Sequence, residues 1–267
     1  MKRKFPLLRT LCFLLFATVI CVSQQRLFVV GGGERPNDGM KKFVEWSGGR
    51  SAKVLIITWA SGVPDQSFTS LEKHFSQFEN ASVVHAPTRP LDAEKRAKFI
   101  EQLDLSTGVF FSGGDQNRIM DVLADEELLK LIRQKYARGT PFGGTSAGAA
   151  VISDPMMTGD ADLKVLDGAK VGVRRGLGLV PNVMFDQHFL VRQRHNRLIG
   201  FVIRNPAYIG VGIDEDTAVL IEDNRKLTVV GTSQVMLLNA KEREAIRMNI
   251  LKSGARYDLK KRKTETK

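Results

Sequence analysis

The sequence predicts an α/β fold, a doubly wound and mostly parallel sheet flanked by helices, with extra antiparallel strands toward the C-terminus. Three observations carry this prediction. Short apolar runs rich in β-branched residues, of the kind buried on both faces of a parallel sheet, alternate with segments of helical periodicity between residues 27 and 150. Polar or glycine-rich turns close several of those runs, notably Gly31-Gly32-Gly33, Gly113-Gly114-Asp115-Gln116 and the turn holding Ser146. Beyond residue 208 short apolar runs follow one another at turn-length separations with no helical pattern between them, which reads as antiparallel strands.

Taken in order, residues 27–30 form a short buried strand and residues 40–46 a short helix. Residues 53–59 are continuous and β-branched, the strongest strand signal in the chain. Residues 67–78 place Phe68, Leu71, His74, Phe75 and Phe78 at helical spacing, and residues 81–86 give a third strand. Asp92 is positioned to cap a helix over residues 92–105, and residues 108–112 supply a fourth strand. After a further helix comes the amphipathic segment 127–136, closed by Gly139, and then the strand that enters Ser146. Past Leu163 the pattern loosens. Residues 176–186 read as irregular or extended, 189–202 as helical and 208–214 as a strand. Residues 217–222, 227–230 and 235–238 read as the closing antiparallel strands.

Length and composition set the bounds. With 267 residues, 43% apolar and 26% charged, the chain has the make-up of an ordinary globular protein with a sizeable core. Residues 1–23 stand apart: Lys2, Arg3, Lys4 and Arg9 precede an apolar run, and the small Cys21 and Ser23 flank a cleavage position. This is the pattern of a secretory signal peptide, and it implies a periplasmic or secreted protein. An uncleaved anchor is the alternative, although the apolar run is short for a bilayer. Both cysteines, Cys12 and Cys21, fall inside this segment, so a mature chain from Gln24 would hold no thiol nucleophile, disulfide or thiolate metal site. No metal or cofactor is expected. Of the net charge of +11, the first 23 residues hold +4 and the last 18 hold +5. The basicity therefore belongs to the ends, and residues 260–267 read as a solvated basic tail rather than as nucleic-acid binding. Residues 24–259 form the expected single domain.

The chemistry centres on Gly144-Thr145-Ser146-Ala147-Gly148, a Gly-x-Ser-x-Gly between an expected strand and an expected helix. So sharp a turn strains its central residue and crowds both flanks, which glycines relieve, leaving the serine hydroxyl projecting. A serine needs a base, usually an imidazole held by a third group. Of the four histidines, His74 lies on an apolar helical face and His85 at a strand end far from any motif, which are structural placements. His188 stands where irregular chain enters a helix among polar neighbours, and is the better base than His195. For the third member, Asp214, Glu215 and Asp216 all follow a strand, and all three also suit a turn. Arg192, Arg194 and Arg197 radiate around the same helix start. They fit either a basic surface or a clamp for carboxylates.

The strings Gly143-Gly144-Thr145-Ser146-Ala147-Gly148-Ala149-Ala150 and Asp186-Gln187-His188-Phe189-x-x-Arg192-x-Arg194-x-x-Arg197-Leu198 resemble the cyanophycinases. These belong to the serine-peptidase family that also contains aspartyl dipeptidase (peptidase E). The likeness extends through Gly113-Gly114-Asp115-Gln116, Gly212-Ile213-Asp214-Glu215 and Leu251-Lys252-Ser253-Gly254. The Asp-Gln-His-Phe block is its most specific part. The resemblance implies a class I glutamine-amidotransferase-like (flavodoxin-like) fold with serine in place of cysteine. It implies a triad of Ser146, His188 and Glu215, with backbone N–H groups of Gly114 and Ala147 as the oxyanion hole. Gln116, Asp186, Gln187, Arg192, Arg194 and Arg197 match the family's substrate-pocket positions. The implied substrate is multi-L-arginyl-poly-L-aspartate, released as β-Asp-Arg dipeptides, and a homodimer is compatible with it. The signal peptide departs from the family's intracellular role and suggests scavenged external polymer or other β-aspartyl peptides.

Two rival readings differ in class: a dipeptidase for short aspartyl or isoaspartyl peptides, and a non-catalytic amidotransferase-like binding protein. Export itself is testable. N-terminal sequencing of the secreted protein is expected to start near Gln24, and recovery of an intact chain beginning at Met1 from the cytoplasm would contradict it.

Overall fold

The computed structural model describes residues 24–78, 81–242 and 245–265. The signal-like residues 1–23 lie outside them. The chain alternates through β1 (Arg26–Val30), α1 (Asn37–Trp46), β2 (Lys53–Ile57), α2 (Pro64–Phe75), β3 (Ser82–His85) and α3 (Ala93–Leu105). It continues with β4 (Gly108–Phe111), α4 (Gln116–Val122), α5 (Glu126–Ala137), β5 (Phe142–Thr145) and α6 (Ala147–Ala150). Then come β6 (Met156–Ala161), β7 (Val171–Arg174), β8 (Val183–Asp186), α7 (His195–Arg204) and β9 (Ile209–Ile213). β10 (Thr217–Glu222), β11 (Lys226–Gly231), β12 (Val235–Glu242), β13 (Ala245–Leu251), β14 (Arg256–Asp258) and β15 (Lys263–Thr264) complete it.

The main sheet has the order β15-β14-β11-β10-β1-β5-β4-β2-β3, and its five strands from β1 to β3 are parallel. The two-residue period of a strand explains its layers. Leu27, Val29, Leu55, Ile57, Val109 and Phe111 project into one core with Phe99 of α3 and Leu128 and Ile132 of α5. Phe28, Val30, Val54, Ile56 and Phe110 project into the other, with Met40 and Phe43 of α1 and Leu71 and Phe75 of α2. Helices thus cover both faces, which is why these strands are apolar throughout. Asp92 caps α3 as the sequence predicts, its carboxylate accepting the Lys95 amide at 2.8 Å.

A second sheet, ordered β13-β12-β9-β8, departs from expectation. Residues 235–238 form an antiparallel strand, as the sequence predicts, but not in the main sheet. They pair instead with β9, Val235 opposite Ile213. β8 runs parallel to β9, and β6 and β7, which the sequence pattern does not reveal, form a separate antiparallel pair on either side of Leu163. The helix expected over residues 189–202 begins only at His195. The preceding residues are turns because the Asp214 carboxylate accepts the Leu190 and Val191 amides at 3.0 and 3.1 Å, tying them to the end of β9. The described part of the basic tail is solvent-exposed apart from the half-buried Arg262, yet it is tied to the domain. Lys263–Thr264 pairs with β14, the buried Asp258 accepts the Lys261 amide at 2.8 Å, and the Arg262 guanidinium donates to the Pro206 and Ala207 carbonyls.

A buried ion pair ties α7 to the end of β8 in the second sheet. Arg197, in the first turn of α7, donates from Nε to Asp186 Oδ2 at 2.7 Å and from Nη2 to Asp186 Oδ1. The side chains are 2% and 0% exposed. Arg197 Nη1 also reaches the Gly159 carbonyl of the β6–β7 hairpin at 3.4 Å. This corrects the expectation that Arg197 and Asp186 face substrate: the guanidinium fork is engaged within the protein. Removing one member of such a pair strands a buried charge, at a cost of about 3–5 kcal/mol. Asp186→Ala is therefore expected to lower the unfolding free energy by that amount in urea titrations. Arg197→Lys should also destabilise, because an ammonium cannot reproduce the planar fork. Unchanged midpoints in both variants would return the pair to substrate binding.

Candidate active site

Strand register brings the candidate residues together. Val30, the last residue of β1, lies opposite Thr145 of β5 on one side and Ala218 of β10 on the other. The turn after β5 (Ser146), the turn before β10 (residues 214–216) and Gly31-Gly32-Gly33 therefore meet at one sheet end. β8 and β9 end side by side, Asp186 opposite Gly212, which delivers His188 and Glu215 from neighbouring strands. Ligand sites of open α/β sheets lie at such carboxyl ends.

Ser146 has φ 54° and ψ −111°, the strained backbone that the sharp strand-to-helix turn demands. Its amide donates to the Val30 carbonyl at 3.1 Å. A Cβ on Gly144 would stand 2.2 Å from the Gly148 carbonyl oxygen, so the motif's first glycine is required by close approach of its own helix. The Ser146 hydroxyl lies 2.7 Å from His188 Nε2, and His188 Nδ1 lies 2.5 Å from Glu215 Oε1. An ionised carboxylate only accepts, so Nδ1 carries the proton, Nε2 presents its lone pair, and the serine O–H donates to it. Burial holds the His188 pKa below the usual imidazole value. The Glu215 hydrogen bond opposes that shift, and Arg192 and Arg194 add to it. At neutral pH the imidazole is thus neutral and able to take a proton.

The three candidate acids have separated roles. Glu215 reaches His188. Asp214, buried, accepts Leu190 and Val191 amides with one oxygen and the Ser233 hydroxyl at 2.7 Å with the other. Asp216 accepts the Glu34 amide at 2.6 Å. Ala147 opens α6, where N–H groups lack intrahelical partners, and Gly113 lies flat against Ser146, placing the Gly113-Gly114 turn beside the hydroxyl.

The remaining pocket candidates are mostly engaged with the protein. Gln116 Nε2 donates to the Met157 carbonyl at 2.9 Å, and Arg194 Nη1 donates to the main-chain carbonyl of Gln187 at 2.8 Å. Arg192 is exposed. His85 is bonded to the Thr58 hydroxyl at 2.8 Å and stacked on Phe68, a structural role as expected. Among the described residues no group of three or more His, Cys, Asp or Glu side chains could hold a metal ion.

Sequence reading missed the role of Gly31-Gly32-Gly33, which fits no dinucleotide motif. The His188 amide donates to the Gly31 carbonyl at 2.8 Å and the Asp216 amide to the Gly32 carbonyl at 3.0 Å. Gly32 has φ +127°, and a Cβ there would fall 2.2 Å from His188 Cε1. The imidazole rests on this bare backbone. Residues 32–33, Arg35, Gln66, Ser67, Ser112, Gly113, Ser146 and His188 surround a cavity of about 360 Å³.

Comparison with known proteins agrees with this geometry. The model of "Peptidase family S51" matches residues 27–229. A cyanophycinase of Geminocystis herdmanii is 30% identical over 254 residues, covering 88% of this chain and 93% of the relative. Another from Trichormus variabilis is 33% identical over 220 residues, covering 81% and 74%. A peptidase E of Pasteurella multocida is 30% identical over 155 residues, covering 55% and 62%. The crystal structure of a peptidase from an acI-B1 actinobacterium matches with a TM-score of 0.70 at 23% identity, covering 89% of this chain and 98% of that one, a likeness of fold. From the family match and these relatives, the chain belongs to peptidase family S51 and is a serine-type peptidase.

Proposed function

We propose that this protein is an exported, cyanophycinase-like exopeptidase that hydrolyses multi-L-arginyl-poly-L-aspartate to β-Asp-Arg dipeptides through an acyl-enzyme on Ser146. The observation that carries the reading is the unbroken relay from the Ser146 hydroxyl through His188 to Glu215, at 2.7 and 2.5 Å. Similarity to cyanophycinases over most of both chains supports the substrate, and the signal-like N-terminus motivates export.

In this mechanism Ser146 Oγ attacks the scissile carbonyl as its proton passes to His188 Nε2. Glu215 keeps Nδ1 protonated and stabilises the imidazolium that forms. The oxyanion is met by the Ala147 and Gly114 N–H groups, each contributing about 10²–10³ in rate. Collapse breaks the C–N bond, and His188 returns the proton to the leaving amine. Water, deprotonated by the same imidazole, then releases the acyl group and restores Ser146. One observation favours a dipeptidase acting on short aspartyl peptides instead: Arg194 and Arg197 are engaged by Gln187 and Asp186 rather than free to hold a polyaspartate backbone. Incubation with purified polymer and with short aspartyl and isoaspartyl peptides, followed by mass analysis of the products, separates the two.

Glu215→Gln is expected to reduce kcat by about 10⁴ with the fold intact, somewhat less than Ser146→Ala. Because His188 titrates below the usual imidazole range, kcat/KM should stay high through neutral pH and fall only as acid protonates Nε2. Near-normal turnover in Glu215→Gln, or an acid limb above the usual histidine range, would contradict this assignment.

A further inference from the structure

The arginines that sequence pattern assigns to carboxylate recognition are not the ones facing the nucleophile. Arg197 and Arg194 are engaged with Asp186 and Gln187, and Arg192 is exposed without lining the Ser146 cavity. The cation that does line that cavity is Arg35, four residues beyond Gly31 on the same loop. Arg35 is half-buried, and among the described residues no carboxylate lies within ion-pair distance of it, although the adjacent Glu34 attracts it electrostatically. Its Nε donates to His74 Nδ1 at 2.9 Å, and His74 Nε2 in turn meets Asn37 Oδ1 at 3.2 Å. This relay holds the guanidinium through Nε, and among the described residues its two Nη groups have no hydrogen-bond partner, an arrangement suited to bidentate carboxylate recognition. Desolvation, helped by Arg35 itself, holds the His74 pKa below the usual imidazole value, so its Nδ1 stays an acceptor. Arg35 and Ser70 are also the wall shared between the Ser146 cavity and a larger one of about 710 Å³. Arg35 thus borders the space in front of Ser146 on the side of the larger cavity.

We propose that Arg35, oriented by His74 and Asn37, is a specificity-determining residue that binds a free carboxylate of the peptide substrate beside the scissile bond. The inference deepens the peptidase reading and rests on it. It makes His74 a positioning residue, although its place on an apolar helical face suggests only packing.

The test separates binding from turnover. In the full-length Ser146→Ala protein, calorimetry measures Kd for β-Asp-Arg and for its analogue in which the aspartyl α-carboxylate is a carboxamide, and likewise for the arginyl carboxylate. One of these amidations is expected to weaken binding about 10- to 100-fold, the loss of a charge-assisted hydrogen-bonded pair. Adding Arg35→Gln should remove that discrimination by weakening only the carboxylate form, and Arg35→Lys should restore it in part. His74→Ala should reduce it while thermal melting confirms the fold. Discrimination unchanged by Arg35→Gln, absent from the start, or lost equally for all peptides would overturn the proposal. Failure of the peptidase reading shows separately, as absence of hydrolysis by the unmodified protein.

Discussion

The site depends on the backbone at the carboxyl end of β1. Within three residues this strand end takes the Ser146 amide on Val30, the His188 amide on Gly31 and the Asp216 amide on Gly32, while the Gly31 amide donates to the Thr217 carbonyl at 2.9 Å. Nucleophile, base and acid come from three distant parts of the chain, yet each hangs from this one segment by a main-chain hydrogen bond within two residues. Side chains are not asked to find one another. Their backbones are already held, so the relay distances follow from the register of β1 with β5 and β10. Preorganisation of this kind is what an acyl-transfer site needs, because its dipoles must stand in place before charge develops.

Much of the first half of the fold was legible in the sequence because its signals are local. The continuous run over residues 53–57 and the helical spacing of α2 and α5 each report burial that their own residues create. The second sheet was less legible because long-range partners decide it. Nothing local distinguishes β12, which joins β9, from β11, which stays in the main sheet. The turns before α7 carry apolar residues that read as part of a helix, but the Asp214 carboxylate captures the Leu190 and Val191 amides from more than twenty residues away. Ser146 was found from its glycine flanks, a purely local strain signal. Glu215 could not be separated from Asp214 and Asp216 by sequence physics, since all three suit a turn and only the bonds to Leu190, Ser233 and Glu34 divide their roles.

Charge is distributed in the same economical way. Asp186 and Arg197 lock the start of α7 to the end of β8, two residues before His188, so a buried ion pair sets the approach of the base without touching the reaction. Asp214 performs a similar task from the other side. Residues matching a family's substrate pocket thus include several that shape the site from within, and the arginine that lines the Ser146 cavity, Arg35, comes from a loop notable in sequence only for its glycines.

The central claim is that Ser146 is a nucleophile activated by a neutral His188. Labelling with a fluorophosphonate, followed by peptide mass mapping across a pH series, tests it most directly. A single adduct on Ser146 is expected, forming rapidly at neutral pH and slowing as His188 becomes protonated below the usual imidazole range. An adduct on another hydroxyl, or labelling of Ser146 that is insensitive to acid, would contradict it.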